Sequence, residues 1–236
     1  MRHTAPLRRA FTLVLSVVAA GAILAAVITE NFSSMPIDTC FADGTTVGLW
    51  RFVFDGYGCT AAVYVNGNVA LMERPAAATW EGETHSALAV GPSVSGDFTA
   101  QLWMATANQL RTGSAPAPWE VGWVLWHYTD NVHFYYFIPK PNGWELGKAD
   151  PAYPGSQRFV ATGSTPTFPI GVWRQVTVVQ SGQTFQVAVD GTTVTTFTDR
   201  ERPYSSGRLG LYSEDAQVYF DNVSITTPNG KGKKPR

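Results

Sequence analysis

Residues Gly207 to Ile225 read GRLGLYSEDAQVYFDNVSI. Leu209 and Leu211 alternate with smaller or polar neighbours, Ser213, Glu214 and Asp215 make a polar turn, and a second alternating run follows. In that run Val218, Phe220 and Asn222 fall on one face while Tyr219, Asp221 and Val223 fall on the other. Two period-two runs around a turn describe the closing pair of half-buried strands in an antiparallel sandwich. One residue resists the pattern. Asp is depleted in strands and costly to bury alone, so Asp221 needs solvent, several hydrogen-bond donors or a cation.

The composition agrees with strands. The 236 residues are 44% hydrophobic, 13% aromatic and 15% charged, enough apolar material for one large core. The 22 Gly and 15 Pro, with recurrent Val, Thr, Tyr, Phe and Trp, favour strands joined by turns over helices. A net charge of −1 creates no field that would attract a polyanion, so no nucleic-acid partner is expected. The basic cluster Lys231, Lys233, Lys234 and Arg236 has no aromatic residues interleaved and reads as a disordered tail over 228–236.

At the other end Arg2, Arg8 and Arg9 precede an uncharged apolar run from Ala10 to Ile28. A basic end followed by an apolar run is the layout of a secretory signal, and Ala20-Gly21-Ala22 offers a small-x-small cleavage site. Uncleaved, a run of this length also spans a bilayer, which takes about 20 helical residues. Residues 1–26 are therefore expected to be a signal peptide or membrane anchor, with membrane contact only in the second case. Either reading exports the domain at 27–227. In an oxidising compartment Cys40 and Cys59 are expected to form a disulfide worth ~3 kcal/mol by loop closure. A metal site needs more ligands than two distant cysteines, and a nucleophile needs a free thiol with a base beside it.

Strands are expected at Val27–Phe32, Ala61–Val65, Asn68–Met72, Ser86–Val90, Phe98–Ala105, Val121–Tyr128, His133–Ile138, Trp144–Gly147, Trp173–Gln180, Phe185–Asp190 and Thr192–Phe197. Asn66-Gly67, Asn142-Gly143 and Asp190-Gly191 are the turns, because Asn and Gly tolerate the positive φ of a tight hairpin. Arg111–Pro118 and Ala149–Pro169 read as long loops.

Alternation then sorts faces. Phe98, Ala100, Leu102 and Met104 point to the core, so Gln101 and Trp103 point away. Leu88 and Val90 are expected inward, leaving Glu83 and His85 outward. A hairpin folded about Asp130-Asn131 pairs His127 with Phe134, giving one face of Val124, Trp126, Tyr128, His133, Tyr135 and Phe137. The opposite face carries Trp123, Leu125, His127, Phe134, Tyr136, Ile138 and Lys140, with Glu145 across from Lys140. One surface is thus expected to display His85, Gln101, Trp103, Trp123, His127, Tyr136, Lys140 and Glu145. A surface mixing aromatic rings with hydrogen-bonding and charged groups suits a sugar, whose C–H faces lie on rings and whose hydroxyls need donors and acceptors. A one-residue slip in the hairpin would send half of these side chains to the core.

The Gly207–Ile225 run resembles the terminal GxxGLYSxxxxVxFDNVxV segment of concanavalin A-like jelly-roll domains of the laminin-G-like kind, which occur in bacterial glycan-active and glycan-binding proteins. Val27-Ile28-Thr29-Glu30-Asn31-Phe32 resembles their EDF opening. The stretch Trp119–Phe137 is similar to their GxxFRYxDxxNYYxF hairpin, with His127 standing where those domains carry Arg, so that residue's role does not pass to His127. The resemblance implies an all-β, two-sheet antiparallel jelly-roll sandwich and a structural calcium held by Asp221, with Glu30 beside it in the neighbouring first strand.

Three functions follow as expectations. The first is recognition of a polysaccharide or cell-surface glycan. The second is a polysaccharide lyase or glycoside hydrolase, with His127 or Tyr136 as base and Gln101, His85 or Lys140 neutralising charge. Against a retaining hydrolase stands the lack of paired carboxylates on one strand, which must flank the bond about 5.5 Å apart. The third is an adhesion or protein-interaction module of laminin-G type.

Overall fold

The computed structural model describes residues 26–228, and the expected alternation appears as sixteen strands with one 3-10 turn at Pro154–Ser156. They are β1 (Ala26–Glu30), β2 (Thr46–Val47), β3 (Trp50–Phe54), β4 (Cys59–Val65), β5 (Asn68–Arg74), β6 (Ser86–Ser95), β7 (Phe98–Gln109) and β8 (Gly122–Asp130). The rest are β9 (His133–Lys140), β10 (Gly143–Ala149), β11 (Gln157–Gly163), β12 (Arg174–Ser181), β13 (Thr184–Val189), β14 (Thr192–Thr198), β15 (Ser206–Glu214) and β16 (Ala216–Thr227). The expected signal or anchor up to residue 25, and the basic cluster of the tail, lie outside the described residues.

Two antiparallel sheets result. The first runs β14-β13-β12-β7-β16-β5-β4, with β1 also against β16; the second runs β11-β10-β9-β8-β15-β6-β3-β2. The Gly207–Ile225 segment therefore does not fold on itself. Asp215, at φ 42, is a one-residue corner that hands the chain from the second sheet to the first, and β15 and β16 each become a central strand. Ala26, Val27 and Ile28, the last residues of the apolar run, belong to β1. Strands β2, β3 and β11 are additions to the sequence expectation; β11 is an edge strand with a half-exposed pattern inside the Pro-rich stretch expected to be a loop.

Between the sheets lies a core that includes Trp50, Phe52, Trp126, Tyr135, Phe137, Phe185, Phe220 and Leu71. Leu209, Leu211, Val218 and Phe220 point into it, as their alternation requires. Cys40 and Cys59 are bonded, and Phe41 in the clasped segment stacks on Phe52 at 4.2 Å.

Two of the bulges redirect candidate residues. In β8 the register against β9 shifts between Trp126 and Asp130, and His127 has φ 55. Trp126 and His127 both point inward, and Tyr128 leaves on the outer face. Gly207, from β15, makes room: a Cβ there would lie 2.3 Å from the His127 backbone. In β16 Asn222 has φ 49, so Val223, expected opposite the core, is buried in it instead.

Candidate functional site

The strand Gly122–Asp130 is apolar on both faces, and the outer one holds a second cluster separate from the core. Leu88 and Val90 belong to this outer cluster, correcting the inward direction read for them; Ala89 between them faces the core. Ring after ring follows along this face. Tyr212 lies 4.8 Å from Trp123, Trp123 lies 5.1 Å from Tyr136, and Tyr136 lies 6.1 Å from Phe134. The Tyr136 ring lies against Gly147, its partner in β10, where a Cβ would meet the ring at 2.0 Å. The indole N–H of Trp123 donates to the carbonyl of Trp119 at 2.9 Å.

Beside this row is a trough of about 350 Å³ whose rim carries Trp119 and Phe159, 47% and 56% exposed. Trp123 and Ile138 lie deeper, and Glu145, Gln157 and Glu214 bring polar groups to it. Gln157 Nε2 donates to the Tyr136 hydroxyl at 2.6 Å, and Lys140 Nζ to Glu145 Oε1 at 2.5 Å. Glu214 accepts from the Tyr212 hydroxyl at 2.8 Å. Burial, with Asp215 and Glu120 nearby, pushes the Glu214 carboxyl up to about 7. Such a carboxyl changes protonation near neutrality, the property of a general base or acid.

One buried cation holds the rim. Arg111 Nε donates to Glu120 Oε1 at 2.6 Å, its terminal nitrogens to the carbonyls of Trp80 and Glu83, and Nη2 to Asp215 Oδ2 at 3.0 Å. This one guanidinium ties together two loops and the β15–β16 corner next to Glu214. Arg111, Glu120, Glu214 and Asp215 are absent from the sequence-derived site, because that site rests on alternation within strands and these four fall at or beyond strand ends. For Arg111 and Glu120 the available signal is charge in an otherwise uncharged, Pro-rich connection.

A 3-keto-alpha-glucoside-1,2-lyase-like domain matches residues 43–226. The chain belongs to this family. No curated protein matches it by sequence. Among solved structures it is similar to the carbohydrate-binding module CBM66 from Bacillus subtilis, at TM-score 0.57 and 17% identity over 82% of this chain and 99% of that one. A protein of unknown function with a galectin-like fold, also from Bacillus subtilis, aligns at TM-score 0.51 and 8% identity over 76% and 90%. The Ca2+-bound exoplasmic/lumenal domain of VIP36 aligns at TM-score 0.50 and 11% identity over 78% and 86%. At these identities the likeness is one of fold, and it agrees with the concanavalin A-like sandwich.

The surface expected from sequence divides into four places. Trp123, Tyr136, Lys140 and Glu145 share the outer face of the second sheet. The register in the body of the β8–β9 hairpin is the expected one, with Trp126 opposite Tyr135; the next hairpin is two residues off, pairing Glu145 with Ile138, which keeps every side chain on its face. Gln101 and Trp103 also point outward, but from β7 in the first sheet, on the other side of the sandwich. His127 is fully buried between the sheets because of the bulge; its Nε2 meets Gln180 Oε1 at 2.6 Å, and burial holds its pKa below the usual histidine value. It reaches no ligand surface. His85 stands at the start of β6 near Glu83, its backbone N–H bonded to Asp215. Tyr136 is a poor base, since burial raises its hydroxyl well above the ordinary tyrosine range.

Glu30 and Asp221 do not fit a shared calcium. Asp221 pairs with Trp103 and leaves on the outer face, whereas Glu30 pairs with Val223, whose side chain is in the core. Glu30 Oε1 accepts from the Phe32 N–H at 2.7 Å, which turns that carboxylate back toward its own strand end. The bulge at Asn222 is what separates them.

Proposed function

We propose that the domain binds a saccharide in the trough on the outer face of the second sheet. The observation that carries this reading is the joining of Trp119, Trp123 and Phe159 with Glu145, Gln157 and Glu214 around one trough. Rings supply platforms for sugar C–H faces, and the carboxylates and amide match hydroxyl groups. Family membership and the carbohydrate-binding neighbour agree in substrate class. The Cys40–Cys59 bond supports work outside the reducing cytoplasm, consistent with export. On a glycan array, followed by calorimetric titration with the best-bound sugar, Trp119→Ala is expected to weaken binding by tenfold or more, about 1.4 kcal/mol, without lowering the melting temperature. An unchanged affinity, or capture of a protein and no glycan, refutes the proposal.

Glu214 favours a second reading on the same surface, elimination from a 3-keto-α-glucoside, the chemistry in the family's description. The ketone at C3 acidifies the C2 proton. Glu214 as carboxylate takes that proton, the C2–H electron pair forms the C1=C2 double bond, and the C1–O bond breaks. The departing oxygen takes a proton from water, and the Glu214 carboxyl then returns its own proton to the hydroxide left behind.

A further inference from the structure

The first sheet has an outer cleft of its own, about 280 Å³ in volume, that the trough does not touch. Asp221 and Trp103 are opposite one another on β16 and β7, so their side chains leave the sheet together. Trp103 is 37% exposed. Trp173 forms a second wall, held by stacking on Tyr219 at 6.3 Å with the planes 23° apart. Ala70 keeps the floor low, and the amides of Asn66, Asn68 and Asn222 lie around the opening.

Asp221 is the telling group. It is 8% exposed, yet among the described residues its side-chain hydrogen bonds come from the next residue alone: the Asn222 N–H to Oδ1 at 2.6 Å and the Asn222 amide to Oδ2 at 3.0 Å. A carboxylate has about four lone-pair sites and is costly to bury with no cation beside it. Sugar hydroxyls would supply the missing donors. The surrounding amides also have N–H donors of their own, which need an acceptor on the ligand; a hydroxyl provides one and an ammonium group does not.

We propose that this cleft is a second saccharide site, in which the rings of Trp103 and Trp173 take the C–H faces of a neutral sugar and Asp221 accepts from its hydroxyls. The domain then holds glycan on both outer faces, and two weak sites on one rigid body raise its hold on a polymer well above either alone. This site stands independently of the trough.

Nitrogen-edited NMR of the tryptophan indole N–H groups tests it, with maltotriose, cellotriose and arabinotriose titrated as probes. With at least one of these sugars the Trp103 and Trp173 signals should shift and saturate, both in the unaltered protein and in Trp123→Ala. Asp221→Asn, which keeps an oxygen for the Asn222 N–H, and Trp103→Ala should each weaken that response by about tenfold. Signals that stay still with all three sugars overturn the proposal, as do signals moved by tetramethylammonium and by no sugar. Loss of the response in Trp123→Ala refutes independence of the two sites. Movement of Trp103 with Trp119 and Trp123 unmoved supports this cleft while refuting the trough.

Discussion

The two outer faces of the sandwich are built in opposite ways. On the second sheet Leu88, Trp123, Leu125, Tyr136 and Ile138 shield one another, with polar groups admitted at the trough beside them. On the first sheet Thr99, Gln101, Thr177 and Gln186 give an ordinary polar surface, broken at one place by Trp103, Trp173 and Asp221. The lesson is that an apolar strand face does not imply a covering layer. Strand β8 is apolar on both sides because one side builds the core and the other builds a ring-lined surface. A carboxylate differs accordingly: Glu214 is raised to about 7 among other acids, whereas Asp221 is raised by burial alone.

The largest expected effect separates the two carboxylates. With a 3-keto-α-glucoside as substrate, Glu214→Gln should cut turnover about 10²–10⁴-fold while saccharide binding survives, and Asp221→Asn should leave turnover unchanged. In the unaltered protein the rate should rise with pH through about 7 as Glu214 ionises. Full turnover in Glu214→Gln would end the elimination reading and leave a binding face.

Next comes the bulge that gives the second sheet its face. Gly207→Ala places a Cβ against the His127 backbone, which cannot move aside as a side chain can, so a loss of about 1–3 kcal/mol is expected by denaturant unfolding. Strand β7 alternates against β12 without such an interruption. A variant as stable as the parent would mean that the bulge at His127 does not depend on a glycine at position 207.

Glu73 probes the seam between the faces. From β5 it reaches across to accept from the Ala89 N–H at 3.0 Å, and complete burial raises its pKa well above 4.5. A raised folded pKa adds stability that is complete below the unfolded value and is lost as pH rises through the folded one. Glu73→Gln should therefore gain about 1 kcal/mol in alkaline buffer and nothing at acidic pH, read from melting curves across pH. A loss at alkaline pH contradicts the assignment.

The smallest expected effect concerns the chain ends. Since Glu30 and Asp221 leave β1 and β16 on opposite faces, a chelator should leave the melting temperature in place. A drop that Asp221→Ala abolishes would restore a shared cation.

Alternation made most of the fold legible. The inward Phe98, Ala100, Leu102 and Met104, the Asn66-Gly67 turn and the body of the β8–β9 hairpin all stand as read, because each depends on period two and local turn chemistry. Of the candidate surface, Trp123, Tyr136, Lys140 and Glu145 came together for the same reason. What failed did so at identifiable residues. His127 and Asn222 take positive φ and reverse the parity beyond them, a choice that an L-residue other than Gly does not advertise. Trp103 kept its direction and lost its company, since parity within a strand says nothing about which sheet the strand joins.

The sequence by itself determined an all-β chain with its core-facing residues, one disulfide pair and a hairpin rich in rings, because these follow from side-chain period and from a chain that holds two cysteines. Only the tertiary structure decided that β15 and β16 part at Asp215 into different sheets, that Arg111 gathers three segments around Glu214, and that Asp221 opens beside Trp103 rather than beside Glu30. Those outcomes depend on strand order and on bulges, which are settled by long-range pairing and packing and leave no period in the chain.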